Sequence, residues 1–320
     1  MRVAQWRWHE DLDLTPLWGL WSEAAESGGQ SFFQRPEPAQ EWLWAYAPWV
    51  RPRIRYCAGC GAIVPWVQWG ERLITLGAGM FDYCDAIGAP SMAALRAAAE
   101  VPREVPGLRA DSPWAAAWRA LAPDWGAPRH CAPFLAAGLG AEELDCRHPK
   151  AAERLRRIAR QGAWGAVTDP SSRAALLEWL LRQKQERMQA LGRDNVLGAP
   201  EAAWLRRMVA RYPQFAELWR GEIGGRCAAG FLTWRGPGVR YGYLLAFAPE
   251  FARFSPGVLL LYHVLRECQR EGREMDFLTG DQPFKLRFAA GRRDLFHLRL
   301  PAAQAGQTTI KIATHGHRQR

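Results

Sequence analysis

The clearest hydrophobic rhythm lies in the second half of the chain. From Lys150 to Gln161, Ala151, Ala152, Leu155, Ile158 and Ala159 fall on one helical face and arginines on the other. Asp169-Pro170, an N-cap followed by a first-turn proline, opens a longer helix that turns Leu176, Leu177, Leu180, Leu181, Met188 and Leu191 inward. Pro200 opens another, through Trp204, Leu205, Met208 and Val209, which Pro213 stops. The period then changes. Residues 219–223, 227–234 and 240–247 read as antiparallel strands separated by Gly224-Gly225 and Gly236-Pro237-Gly238, followed by a helix over 256–272 and a short strand over 275–278.

The first half is patterned differently. Leu14, Leu17, Trp18 and Trp21, then Trp42, Leu43, Tyr46 and Trp49, are spaced as two amphipathic surface helices on either side of a proline-bracketed turn, Arg35-Pro36-Glu37-Pro38. Short apolar segments at 54–57, 62–69 and 73–76, punctuated by Gly59, Gly61, Gly70 and Gly77, predict a meander of hairpins, and 91–100 predicts a helix. Prolines between Val101 and Pro133 keep any elements there short. Strand, strand, helix, strand in the second half makes the fold class α+β.

Composition narrows the function. The 320 residues, 48% of them hydrophobic, suit two modest domains or one large one and exclude a disordered chain or a coiled coil. No apolar run is long enough for a membrane span, and Trp6, Arg7, His9, Glu10 and Asp11 break any signal-peptide core, so the expectation is a cytoplasmic protein. Seven scattered cysteines read as reduced thiols. Cys57-Ala58-Gly59-Cys60 has no second such pair to complete a metal site, so no metal is expected. The formal charge of +10 calls for an anionic partner. Arg147, Lys150, Arg154, Arg156, Arg157 and Arg160 carry much of it, as do Lys311, Arg318 and Arg320 in a polar segment, 303–320, that reads as a disordered tail.

One segment points to chemistry. Phe254-Ser255-Pro256-Gly257-Val258-Leu259-Leu260-Leu261 leads from strands into a helix. Ser255 suits an N-cap, Pro256 the first helical position, and Gly257 leaves the next N–H groups unobstructed, so unpaired donors and the positive end of the helix dipole converge on an anion site. Downstream, residues 275–288 form a short strand, a glycine turn carrying Asp281, and a basic amphipathic turn with Lys285 and Arg287.

Together these segments resemble the second half of GNAT-type N-acyltransferases of the CelD group, relatives of the FemAB-like enzymes. Weaker likeness extends over Phe32, Phe33 and Trp42, residues 81–85, the basic helix at 154–157, and 241–244. The resemblance implies two tandem GNAT-like halves with mixed, mainly antiparallel sheets flanked by helices: 1–146 for the acceptor and for packing, and 147–302 for an acyl-CoA donor such as acetyl-CoA. It implies that the pantetheine arm lies along Tyr243, Leu245 and Phe247 and the pyrophosphate on Ser255, Gly257, Val258 and Leu259, while an amine on a small molecule or polymer attacks the thioester directly in a ternary complex. Asp281 is then the leading base or acceptor anchor, ahead of Asp276, and Lys285 its partner or that of a substrate carboxylate. Relatives usually carry tyrosine where this chain has Phe284, which cannot donate a proton to the leaving thiolate; Tyr262, Tyr241, Tyr243 or water would have to. The rival readings are aminoacyl transfer from charged tRNA, which uses the basic helix, a degenerate module that binds CoA or a partner without turnover, and a nucleic-acid-binding protein without catalysis that relies on Arg154, Arg156 and Arg157.

Overall fold

The computed structural model describes residues 5–27, 31–96, 101–194 and 197–302. The first half contributes strands β1 (Arg7–His9), β2 (Arg51–Cys57), β3 (Ala62–Trp69), β4 (Arg72–Thr75), β5 (Ile87–Gly88), β6 (Arg103–Arg109) and β7 (His130–Leu135). It also contributes helices α1 (Trp18–Ser27), α2 (Pro36–Tyr46), α3 (Met92–Arg96), α4 (Ala115–Leu121) and α5 (Ala141–Arg147). The second half follows with α6 (Pro149–Ile158), β8 (Trp164–Val167), α7 (Pro170–Ala190), α8 (Ala199–Arg211), β9 (Ala216–Ile223), β10 (Arg226–Gly236) and β11 (Val239–Phe247), then α9 (Pro256–Arg270), β12 (Glu274–Asp276), α10 (Pro283–Leu286) and β13 (Gly291–Leu300).

All these strands join one sheet in the order β1-β2-β3-β4-β6-β13-β7-β12-β11-β10-β9-β8, with β5 on β3. Only β4 with β6 and β11 with β12 pair in parallel, so the fold is α+β, as expected. The chain crosses between halves inside the sheet: β7 pairs with β12, and β13 lies between β6 and β7. Apolar side chains of α1, α2, α7 and α8 share one core, while α3 and α4 cover the opposite face of the first half and α5, α6 and α9 that of the second.

Local chemistry explains most boundaries. Asp169 caps α7, its carboxylate accepting from Ser172 N at 2.8 Å. In α9, Leu260, Val264 and Leu265 are wholly buried, each stabilising the fold by about 1.5–3 kcal/mol. The stretch at Pro36 departs from expectation. Both prolines lie in the first turn of α2, where a missing N–H costs nothing, so they start the helix instead of bracketing a turn. Nor is α2 a surface helix: Trp42 and Leu43 are fully buried, and Trp204 of α8 donates to Pro38 O at 3.0 Å. Residues 97–100 of the expected 91–100 helix, and the segment 303–320, lie outside the described residues.

Candidate active site

Strand β11 pairs with β12 only over Val239–Tyr241. From Gly242 onward that edge has no strand partner among the described residues, and the gap opens into a cavity of about 430 Å³. Along this edge a β-bulge at Tyr243 shifts the register, so Tyr243 packs towards Phe33, Trp204 and Trp234 with Leu244 and Ala246, while Leu245 and Phe247 face the core under α9. Tyr243, Leu245 and Phe247 all line the cavity, as do Phe284 and Lys285 at its far side.

One end of the cavity is the start of α9. Its first hydrogen bond runs from Leu259 N to Ser255 O at 3.2 Å, so the N–H groups of Gly257 and Val258 precede the helical ladder. Both residues line the cavity. Two expected contributors stand elsewhere. Leu259 turns its side chain into the core at 2% exposure. Ser255 adopts the left-handed conformation, φ 53°, and makes no side-chain cap; its neighbour Arg154 of α6 instead reaches Phe254 O at 3.0 Å. Lys184, Arg187 and Arg193 add cationic character to the opposite wall, with the Arg187 guanidinium 5.4 Å from the centre of the Phe247 ring.

The other end is built on the turn after β12. Leu278 is also left-handed, φ 58°, an outlier of the kind that persists only where surrounding contacts over-determine it. Those contacts come from both halves. Asp276 accepts from Leu278 N at 2.8 Å, from the Tyr83 hydroxyl at 2.7 Å and from Arg293 at 3.3 Å. Burial pushes the Asp276 carboxyl up to about 6 against those bonds. Asp82 accepts from Thr279 N at 2.9 Å. Lys285 Nζ donates to Thr279 O at 2.7 Å and more weakly to Leu278 O at 3.4 Å, which leaves one of its three donors for the cavity. Burial lowers the Lys285 pKa, opposed by the nearby Asp82 and Asp276 carboxylates.

The Asp82 and Asp276 carboxylates thus act on Lys285 through space, with no ion pair to it, and Asp281 is exposed and outside the cavity lining. Tyr262 does not reach the cavity. It is fully buried on the inner face of α9, and its hydroxyl donates to Asp145 at 2.6 Å. Tyr241 is buried in the shared core, and the Tyr243 hydroxyl donates to Met80 O at 3.0 Å. Asp82 escaped the reading of the residues because its partner lies 197 positions away; the only local signal was the polar Asp82-Tyr83-Cys84-Asp85 run among apolar segments. Among the described residues no group of three or more His, Cys, Asp or Glu side chains could hold a metal ion, and no helix is long and apolar enough to cross a membrane.

Comparison with known proteins places this geometry. Residues 147–286 match the family model of the acetyltransferase (GNAT) domain. FemX superimposes with a TM-score of 0.60 at 11% identity, over 91% of this chain and 96% of its own. L-PGS from Bacillus licheniformis gives 0.59 at 12%, over 92% and 94%. A conserved protein of unknown function from Bacteroides thetaiotaomicron gives 0.59 at 10%, over 92% and 100%. No curated protein sequence matches the chain. At these identities the structural likeness is one of fold. Residues 147–286 are thus similar to the acetyltransferase (GNAT) domain, and over the whole chain the likeness to FemX and L-PGS is one of fold; the matched model does not single out the CelD group.

Proposed function

We propose that the protein transfers an acyl group, most simply acetyl, from acyl-CoA to an amine by direct attack. The observation that carries this reading is the single cavity that joins the unpaired N–H groups of Gly257 and Val258, the free edge of β11 and the Lys285 ammonium. A phosphate-bearing, amide-rich arm suits that sequence of surfaces: diphosphate oxygens on the first turn of α9, amides along the unpaired strand edge, and the reacting carbonyl near Lys285. The remaining Lys285 donor, desolvated and held by two carbonyls, is placed to hydrogen-bond an oxygen on which negative charge develops. Phe284 lines the cavity without a proton to give, so protonation of the thiolate falls to solvent or to another group.

A second reading is aminoacyl transfer from charged tRNA. Exposed Lys150, Arg156, Arg157 and Arg160 on and just after α6 favour it, because α6 packs beside the start of α9. The fold shared with L-PGS is compatible with it too.

Calorimetric titration of acetyl-CoA, with dephospho-CoA as control, into the wild type and Gly257→Asp separates the readings. A Cβ at Gly257 would stand 3.3 Å from the Phe247 ring, so the substitution crowds the groove as well as adding a repelling carboxylate. The expected outcome is wild-type binding that the variant loses by about 100-fold, a cost of about 3 kcal/mol. Absence of wild-type binding at high micromolar acetyl-CoA would sink the acyl-CoA reading. Salt-sensitive binding of aminoacyl-tRNA would then be the outcome to look for.

A further inference from the structure

Desolvated cations elsewhere in the molecule meet carboxylates: Arg240 pairs with Glu217 and Glu271, and Arg293 with Glu274 and Asp276. The cavity beside β11 departs from that pattern. Lys184, Arg187, Arg193 and Lys285 line it, and none of its described lining residues is an acid. Lys285 is held by two carbonyls and Arg187 lies over the Phe247 ring. Lys184 is partly buried and, among the described residues, makes no hydrogen bond or ion pair. Burial lowers its pKa, and the neighbouring Arg187 adds to the effect. An ammonium so placed has lost water without gaining a counter-ion, a cost that an anion from outside relieves.

Its place along the groove separates Lys184 from the phosphate end. A Cβ at Gly257 would touch the Phe247 ring that Arg187 covers, so Arg187 marks the start of α9. Lys184 comes one turn earlier in α7, about 4.5 Å along the helix axis. Burial lowers the Lys285 pKa and the Lys184 charge lowers it further, so the two ammonium groups feel each other across the cavity. Two cations therefore converge where the reacting carbonyl of a bound donor would stand, away from the N–H groups and the guanidinium that suit a diphosphate.

We propose that Lys184 seats a carboxylate beside the reacting carbonyl, which makes the substrate class acidic and Lys184 a specificity-determining residue. The inference rests on the acyl-transfer reading and adds to it the charge of the group transferred or of the amine that receives it. The Lys184 ammonium has three donors free for a ligand, and a carboxylate can take two of them. Lys285 has one donor left and stays with the carbonyl oxygen. The nearby Asp82 and Asp276 carboxylates already accept from Thr279 N and from Tyr83, Leu278 and Arg293. The carboxylate can arrive on the acyl chain of a dicarboxylic acyl-CoA or on an amino acid acceptor. A neutral analogue leaves the desolvated cation unpaired, which is how a polar site rejects it.

The test has two arms, run on the wild type, Lys184→Met and Lys184→Arg. The first compares succinyl-CoA with acetyl-CoA by calorimetry; the second compares β-alanine with n-propylamine in thiol release from acetyl-CoA. Expected in one arm is a wild-type preference of about 10- to 100-fold for the carboxylated member, which falls to near parity in Lys184→Met and survives in Lys184→Arg. A preference in the first arm places the carboxylate on the acyl group, and one in the second places it on the acceptor. Wild-type parity in the first arm together with parity or no turnover in the second would overturn the proposal and leave the donor site standing. So would a preference that Lys184→Met keeps, or an equal loss of succinyl-CoA and acetyl-CoA binding in that variant, which would give Lys184 to a CoA phosphate. Failure of the wild type to bind either acyl-CoA would instead bring down the donor reading, and this inference with it.

Discussion

The two halves differ most in what they leave empty. Beside β11 the second half keeps a cavity of about 430 Å³, open along the part of the strand edge beyond Tyr241 that pairs with no strand among the described residues. In the first half, the spaces around Tyr83, Cys84 and Asp85 amount to about 10 Å³ each. Trp114 and Trp118 are wholly buried there, the latter hydrogen-bonded to Asp85. Similar layers therefore serve opposite ends: one half spends its apolar volume on filling, the other holds a groove open between two left-handed residues, Ser255 and Leu278.

Three substitutions would break or sharpen that contrast. Trp118→Ala empties the packed half and removes an Asp85 hydrogen bond, and should lower unfolding stability by about 3–5 kcal/mol in urea titrations while leaving donor affinity unchanged in the folded protein. Equal stability would mean that the first half tolerates voids as the second does. Leu245→Trp fills the open half. An overpacking cost of about 1–3 kcal/mol, charged to the ligand, predicts donor binding weakened by roughly 10- to 100-fold. The smallest effect concerns pH. Burial pushes Asp85 up to about 6 despite its three hydrogen bonds. Because the folded carboxyl then binds its proton more tightly than the unfolded one, its destabilising contribution is full above pH 6 and fades as pH falls toward 4. Asp85→Asn should therefore remove roughly 1 kcal/mol of the stability gained between pH 7 and pH 5, read from urea midpoints at the two values. An unchanged pH dependence would assign the titration to Asp276.

Helix starts were legible from local residues at Asp169-Pro170, where the cap forms, and from the first-turn proline Pro256, whereas the bulge that turns Tyr243 away from Leu245 and Phe247 was not. What could not be read depended on distant partners. Pro36 and Pro38 looked like a turn because nothing nearby announces that α8 covers the helix they start. A serine before a proline suggests a side-chain cap, but Ser255 took a left-handed backbone with Arg154 beside it, 101 residues away in sequence. Lys285 was expected to seek a carboxylate and bonded carbonyls of its own turn, while the acids that shape its charge came from 82 and 276. Helical periodicity marks Tyr262 as inward, yet says nothing of whether inward means core or groove; here it means core.

The position of β13 has a consequence for how the molecule is made. The gap between β6 and β7 is filled only by residues 291–300, so a chain emerging from the ribosome carries an unpaired β6 edge until nearly all of the described sequence has been synthesised. Local order can form early in α7 or α9, but the sheet closes last, through pairings almost two hundred residues apart, such as Arg103 with Leu300. Long-range closure of this kind slows folding and prolongs exposure of strand edges. The halves therefore cannot mature one after the other: the first waits for the end of the second.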